Sequence, residues 1–260
     1  MALPDKKPLD AVAEAIDRQR AYEARRPTRL GRGAEALTAP LGTVLSKMVP
    51  PEWVLRALEM SDQAAGWTVP DMDHVRDELE DCQAAALRVQ AWAQGLNASS
   101  GFAAGVAGGA GLAVDIPANL ALAARNVRAT GAAYGFDGDG QDERAFRLMV
   151  LEVATVMASD AREETMGRLD KAAKVLNDPA LRSATDKGAD WVMSKIVDRV
   201  ARQLGVSLAG RKLGQIVPVV GGVVGATVNA SFQVDVARAA RFAYEKRWLM
   251  ARKLLEAPDV

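Results

Sequence analysis

Two uncharged stretches of small residues decide the fold, and the first of them contains GFAAGVAGGAG at residues 101–111. This stretch covers about residues 89–124 and is interrupted by a single charge, at Asp115. The second covers residues 213–234 and contains PVVGGVVGA at residues 218–226. Glycines spaced four residues apart lie on one face of a helix, where a second backbone can approach closely. The two stretches therefore predict a pair of tightly packed helices.

This spacing predicts an all-α fold, a multi-helix bundle with a central glycine-rich helix pair. Few segments alternate apolar and polar residues with period two, so no strand is predicted. Neither stretch follows a predicted strand or completes a nucleotide-binding glycine fingerprint, which leaves packing as its role. The residues predicted to pack in this glycine zipper are Gly101, Gly105, Gly109, Gly221 and Gly225.

Capping residues predict several helix boundaries. Asp71 and Asp115 are each predicted to start a helix, because an Asp side chain accepts hydrogen bonds from free N–H groups of a first turn. The helix after Asp115 should end at Tyr134-Gly135, where glycine can adopt the left-handed cap conformation. A long final helix is predicted over about residues 222–256.

Length, cysteine content and charge pattern suggest how the chain is organised. Residues 1–33 are charged and predict a tether or peripheral helix, whereas residues 34–260 predict a single helical domain. Cys82 is the only cysteine, so no intramolecular disulfide can form and a reducing compartment is expected. No apolar run follows the charged N-terminus, so no secretory signal is predicted. We therefore expect a cytoplasmic protein.

The net charge is zero, but the basic residues are concentrated near the C-terminus. Residues 195–253 contain eleven Lys and Arg against three Asp and Glu, a local charge of +8. A basic face beside a valine-rich segment suits an anionic bilayer surface, although a solvated helix face is the alternative. The pI near 6.6 and the lack of a known fingerprint argue against nucleic acid. The candidate membrane-facing basic residues are Arg211, Lys212, Arg238, Arg241, Lys246 and Arg247.

Neither apolar stretch is a convincing membrane span. The first is rich in alanine and glycine and contains Asp115 and Pro117, and the second is interrupted by Pro218 and Asn229. Short apolar runs of this kind indicate a buried or membrane-dipping hairpin.

Three polar residues are candidate anchors for a partner or ligand: Asp115, Arg125 and Asn229. For Asp115 helix capping is the alternative, and for Asn229 it is a hydrogen bond between the paired helices. His74 is the only histidine, so a His/Asp metal site or a classical catalytic triad has little support. No catalytic residues, metal or cofactor are predicted.

Several motifs together resemble the bacterial EcsC family. They are Gly108-Gly109-Ala110-Gly111, Asp115-Ile116-Pro117, Tyr134-Gly135-Phe136-Asp137, Glu143-Arg144-Ala145-Phe146 and the run Pro218 to Ala226. The similarity covers about residues 43–250. It implies a helical bacterial protein, in some members encoded beside an ABC transporter, and carries no reaction to transfer.

The leading hypothesis is a non-catalytic protein peripheral to the inner membrane, acting at its cytoplasmic face. It would engage anionic lipid or an integral membrane partner such as an ABC transporter. One alternative is a soluble carrier that holds a lipid-like molecule between its small-residue helices. Another is an unrecognised hydrolase.

Overall fold

The prediction of an all-α fold is confirmed. The computed structural model describes residues 8–24, 50–63, 72–105, 112–156, 159–181, 195–203 and 221–256. Within these ranges every regular element is a helix and no strand is present.

Seven helices build most of the described part of the molecule, and two further helical segments cover residues 179–181 and 195–203. In chain order the seven are α1 (Pro8–Glu23), α2 (Pro51–Gln63), α3 (Leu79–Gly105), α4 (Leu112–Ala133), α5 (Gln141–Thr155), α6 (Ser159–Asn177) and α7 (Gly221–Ala251).

The last helix, α7, is the centre of the bundle. It packs against α1, α3, α4, α5 and α6, while α2 packs on the outer side of α4. Alanines at 237, 239, 240 and 243 are buried along α7, and these small side chains let several neighbours approach one helix. Phe232, Tyr244 and Leu249 fill the spaces between them.

Two predicted helix starts are wrong. Asp71 lies outside the described residues, but residues 72–78 that follow it are not helical and α3 begins at Leu79. The His74 ring lies 2.8 Å from the carbonyl oxygens of both Met72 and Ala133, which ties this segment to the end of α4. Tertiary contacts therefore override the local capping signal.

Asp115 does not cap α4, because that helix already begins at Leu112 and keeps Pro117 inside it. Pro117 is the sixth residue of α4, beyond the first turn, so the helix lacks the backbone hydrogen bond that an N–H at this position would donate to the carbonyl of residue 113.

The predicted end of α4 is confirmed. Gly135 has a φ of +85°, the left-handed conformation that suits glycine. The Phe136 N–H donates to the Gly131 carbonyl at 2.8 Å, and the Gly135 N–H donates to that of Ala132 at 3.0 Å. This pair of bonds closes the helix and turns the chain toward α5.

The glycine-rich helix pair stays a prediction. Gly101 and Gly105 lie in α3, and Gly221 and Gly225 lie in α7, two helices that pack against each other. Gly109 falls outside the described residues. None of the described helices combines the length and apolarity needed to cross a membrane.

Candidate functional site

A groove of about 560 Å³ lies between α1, α3 and α7. Its apolar wall is formed by Tyr22, Leu87 and Phe242. The polar lining comes from three arginines, two glutamines, one tyrosine and one glutamate: Arg18, Arg238, Arg241, Gln19, Gln83, Tyr134 and Glu245. A charged groove with an apolar wall suits a ligand that has a charged head and an apolar body.

The helix α1 forms one wall of this groove. Its Ala11 and Ala15 are buried, and its Tyr22 ring stacks on Phe242 of α7 with 4.4 Å between centroids. The Arg162 guanidinium covers Tyr22 at 4.5 Å from the ring centroid. Residues 8–23 are thus a helix packed on the bundle.

The one carboxylate in the groove, Glu245, is held by three side chains. Gln19 donates to its Oε1 at 3.0 Å, and Gln83 donates to its Oε2 at 2.8 Å. Arg18 forms a longer ion pair with Oε2 at 3.6 Å. Glu245 also helps to raise the pKa of Tyr134, although burial is the larger cause.

Arg241 faces the groove and forms no ion pair there. It is half-buried, no hydrogen bond or ion pair of its side chain is found among the described residues, and its Nε is buried without a hydrogen-bond partner. Loss of solvent lowers the pKa of its guanidinium, whereas the electrostatic attraction of Tyr134 and Glu245 raises it. A desolvated, unpaired arginine beside a groove is a site where an external anion gains a strong partner.

Lys246, another of the predicted basic residues, is neutralised inside the protein. Lys246 donates to Glu23 and to Asp170, both at 2.6 Å, and its side chain is only 12% exposed. Arg211 and Lys212 fall outside the described residues. The charge of Lys246 is therefore used to join α1 and α6 to α7.

Arg247 is buried, so its prediction as a membrane-facing residue is wrong. Only 2% of its surface is exposed, and its two terminal nitrogens donate to Glu143 at 2.7 and 2.6 Å. Asn177 accepts from its Nε at 3.2 Å, and the rings of Phe136 and Phe146 lie 4.1 and 4.9 Å from it. The local charge pattern around Arg247 could not indicate that its partner is Glu143, 104 residues away in the sequence.

Of the three predicted polar anchors, the structure describes the side chain of Arg125 alone. Arg125 stacks on Trp92 of α3, with 3.7 Å between its guanidinium carbon and the ring centroid, and burial lowers its pKa. It is not among the residues that line the groove. Asp115 and Asn229 lie in α4 and α7, but their side chains are outside what the structure describes.

Sequence reasoning missed a buried polar contact one helical turn beyond these anchors. Gln233 of α7 donates to the backbone oxygen of Asn119 in α4 at 3.0 Å, and both residues are buried. Asn119 follows Asp115 by four residues, and Gln233 follows Asn229 by four. The uncharged context that singled out the two anchors could have pointed to their neighbours as well.

Among the described residues no group of His, Cys, Asp and Glu is arranged to hold a metal ion. His74 lies against two backbone carbonyls, as described above, and Cys82 is buried. Burial raises the pKa of the Cys82 thiol to about 11, which keeps it protonated and unreactive at neutral pH.

A sequence model of the EcsC protein family matches residues 33–249, well over half of the chain. The chain belongs to the EcsC family. The chain is also similar to the uncharacterized protein YdbA of Bacillus subtilis (strain 168), with 28% identity over 204 residues. That match covers 78% of this chain and 66% of the relative. No solved structure is significantly similar.

Two motifs that carried the EcsC resemblance have structural roles here. In the motif at residues 134–137, Gly135 provides the left-handed turn and the Phe136 ring covers the Arg247 guanidinium. In the motif at residues 143–146, Glu143 neutralises Arg247, and the Phe146 ring packs edge-on against the Tyr244 ring with 5.4 Å between centroids. The α1 helix precedes the matched region, so the groove joins EcsC residues to a segment outside that match.

Proposed function

We propose that this EcsC protein is a non-catalytic, peripheral protein that binds an anionic lipid at the cytoplasmic face of the inner membrane. The lipid headgroup lies against Arg241 and Arg238, and its apolar body lies along Leu87 and Phe242. The observation that carries the proposal is the half-buried Arg241, which forms no ion pair among the described residues although Glu245 attracts it electrostatically.

The surroundings of Arg241 favour an anionic ligand over simple solvation. Most basic residues near it in sequence are matched by carboxylates, whereas the only groove carboxylate, Glu245, is already held by two glutamines and an arginine. The apolar wall beside the guanidinium disfavours a small hydrated anion, because such an anion leaves that wall in water. A lipid satisfies both parts of the groove.

Vesicle flotation tests the proposal. The wild type should float with phosphatidylcholine vesicles that contain phosphatidylglycerol and not with vesicles of phosphatidylcholine alone. Arg241→Gln should weaken this binding by about tenfold or more, because a hydrogen bond to a charged group contributes about 1.5–3 kcal/mol. The matched control is Arg202→Gln, which removes the same charge from an exposed position outside the groove.

Three outcomes would count against the proposal. Recovery of all wild-type protein in the unbound fraction at low salt would exclude an anionic lipid as the ligand. Equal losses for Arg241→Gln and Arg202→Gln would indicate general charge attraction. Association with native membranes but not with protein-free vesicles would favour an integral membrane protein, such as an ABC transporter, as the partner.

A soluble carrier is the second candidate, and the groove volume favours it. About 560 Å³ lies within the usual range of small-molecule pockets, about 300–1,000 Å³. Native mass spectrometry of purified protein separates the two functions. A lipid bound in one-to-one ratio after removal of membranes would favour the carrier, whereas lipid-free protein that floats with vesicles would favour the peripheral membrane role.

A further inference from the structure

Two groove residues of α7 have the spacing of an intrahelical ion pair, yet they do not form one. Arg241 and Glu245 are four residues apart, the separation at which opposite charges on a helix meet. Instead, the Glu245 carboxylate accepts from Gln19 and Gln83 and lies 3.6 Å from Arg18. Two of these three side chains belong to α1.

We propose that docking of α1 creates the anion site, because Gln19 and Arg18 hold Glu245 away from Arg241. When α1 undocks, the Glu245 carboxylate keeps only its hydrogen bond from Gln83. It then turns toward Arg241, one turn earlier on α7, and neutralises that arginine. This inference rests on the proposed function, and its ligand is the phosphate group of an anionic lipid.

The linkage works in both directions. If α1 docking raises the affinity for the anion, then the bound anion must stabilise docked α1 by the same factor. The site therefore switches between an open, charged form with α1 docked and a self-neutralised form with α1 released. An anionic ligand selects the first form.

The contacts of α1 fit a helix whose docking can be shifted. It packs on α7 and α3 and on no other described helix to a comparable extent. Several of its attachments are polar: Gln19 also donates to the Phe242 carbonyl at 3.3 Å, and Glu23 accepts from Lys246. The Gln19 hydrogen bonds are buried, and the pair of Glu23 with Lys246 is partly exposed. A single hydrogen bond or exposed ion pair adds only modestly to stability, so a ligand with modest selectivity can change the balance.

A double-mutant cycle on the full-length chain tests the linkage. The probe is monomeric dihexanoyl phosphatidylglycerol, titrated by isothermal calorimetry. Gln19→Ala removes no charge, yet it should weaken binding by about fivefold or more, the lower end of typical couplings between sites. Glu245→Gln should bind at least as tightly as the wild type, and the double variant should match Glu245→Gln.

The rescue by Glu245→Gln is the decisive result. If Gln19 simply contacts the lipid, the double variant will bind as weakly as Gln19→Ala and the linkage is overturned. The control Arg20→Gln changes an exposed α1 residue outside the groove lining and should leave the affinity unchanged. Circular dichroism on each variant confirms that the bundle remains folded.

Hydrogen exchange gives the reciprocal measurement. The lipid should slow amide exchange in residues 11–22 of wild-type protein and have little effect on these amides in Arg241→Gln. Unchanged exchange in the wild type with saturating lipid would overturn the linkage while leaving lipid binding in place. If the wild type binds neither vesicles nor the monomeric lipid, the linkage and the proposed function both fail.

Inorganic phosphate separates the two sources of the anion. Weaker binding of phosphate than of the lipid supports the lipid as ligand, since phosphate does not cover the apolar wall. Binding of phosphate as tight as that of the lipid, with the same dependence on Gln19, would support the linkage and overturn the lipid assignment.

Discussion

Arg241 and Arg247 lie less than two turns apart on α7 and meet opposite electrostatic surroundings. Arg247 is enclosed by Glu143, Asn177 and two aromatic rings, whereas Arg241 opens into the groove without an ion pair among the described residues. Burial without pairing is costly for a charge, so Arg247 is compatible with the native state only through its pair with Glu143. Arg241 is available to a ligand.

Arg247→Met should strongly destabilise the protein. It leaves the Glu143 carboxylate buried and unpaired, and loss of one partner from a buried ion pair costs about 3–5 kcal/mol. Urea unfolding followed by circular dichroism measures this change. The double variant Glu143→Leu with Arg247→Met should recover much of the loss, and a fully additive double variant would contradict the importance of this pair.

The Cys82 thiol should make stability fall as pH rises above about 9. Burial raises the pKa of Cys82 from 9.0 to about 11, so the unfolded state loses its proton first and is favoured between these pH values. A shift of this size corresponds to about 2–3 kcal/mol at the upper pH. Comparing the urea unfolding of wild type and Cys82→Ala at pH 8 and pH 10.5 isolates this contribution, because the other titrating groups cancel. Equal pH slopes would contradict it.

At the level of helices, the close approach of α4 and α7 depends on one glycine. A methyl group at Gly131 would lie 2.8 Å from the Phe136 carbonyl oxygen and 2.8 Å from the Tyr244 ring. The end of α4, its cap and a buried ring of α7 meet at this point. The local sequence predicts the cap at Gly135, but nothing in it indicates the tight contact at Gly131, one turn earlier.

Gly131→Ala should destabilise the protein by about 1–3 kcal/mol, the usual cost of overpacking. Gly167→Ala in α6 is the matched control, because no atom lies within 4 Å of its added methyl group. That change should stabilise by about 0.5–1 kcal/mol through helix propensity. Thermal unfolding of both variants checks the opposite signs. A loss of similar size at both positions would indicate a backbone effect common to any helical glycine.

At the scale of the whole molecule, acidic residues from distant segments neutralise part of the basic C-terminal quarter. Arg199 pairs with Glu152 at 3.1 Å, Arg252 with Asp77 at 2.7 Å, and Lys246 and Arg247 pair as described above. Four of the eleven basic residues in residues 195–253 are paired in this way among the described residues. In the proposed function the anion is bound in the groove and not over a broad basic face.

Lipid binding should therefore depend only weakly on salt. A broad basic face loses its attraction to an anionic bilayer as the Debye length shortens, whereas a half-buried guanidinium is screened much less. Raising the salt from about 0.05 to 0.3 M should reduce vesicle binding by less than about threefold. Flotation across this range measures the salt dependence. A steep loss of vesicle binding would indicate general attraction between basic surface residues and the bilayer.

The sequence by itself determined the helical class, the glycine cap after α4 and membership of the EcsC family. These depend on local periodicity, on the backbone freedom of glycine and on short motifs, all readable over a few turns. Only the tertiary structure decided which charges are paired, where α1 docks and which arginine faces the groove. Ion pairs such as Glu143 with Arg247 join residues far apart in the chain, and nothing local distinguishes a basic residue that finds a buried partner from one that does not.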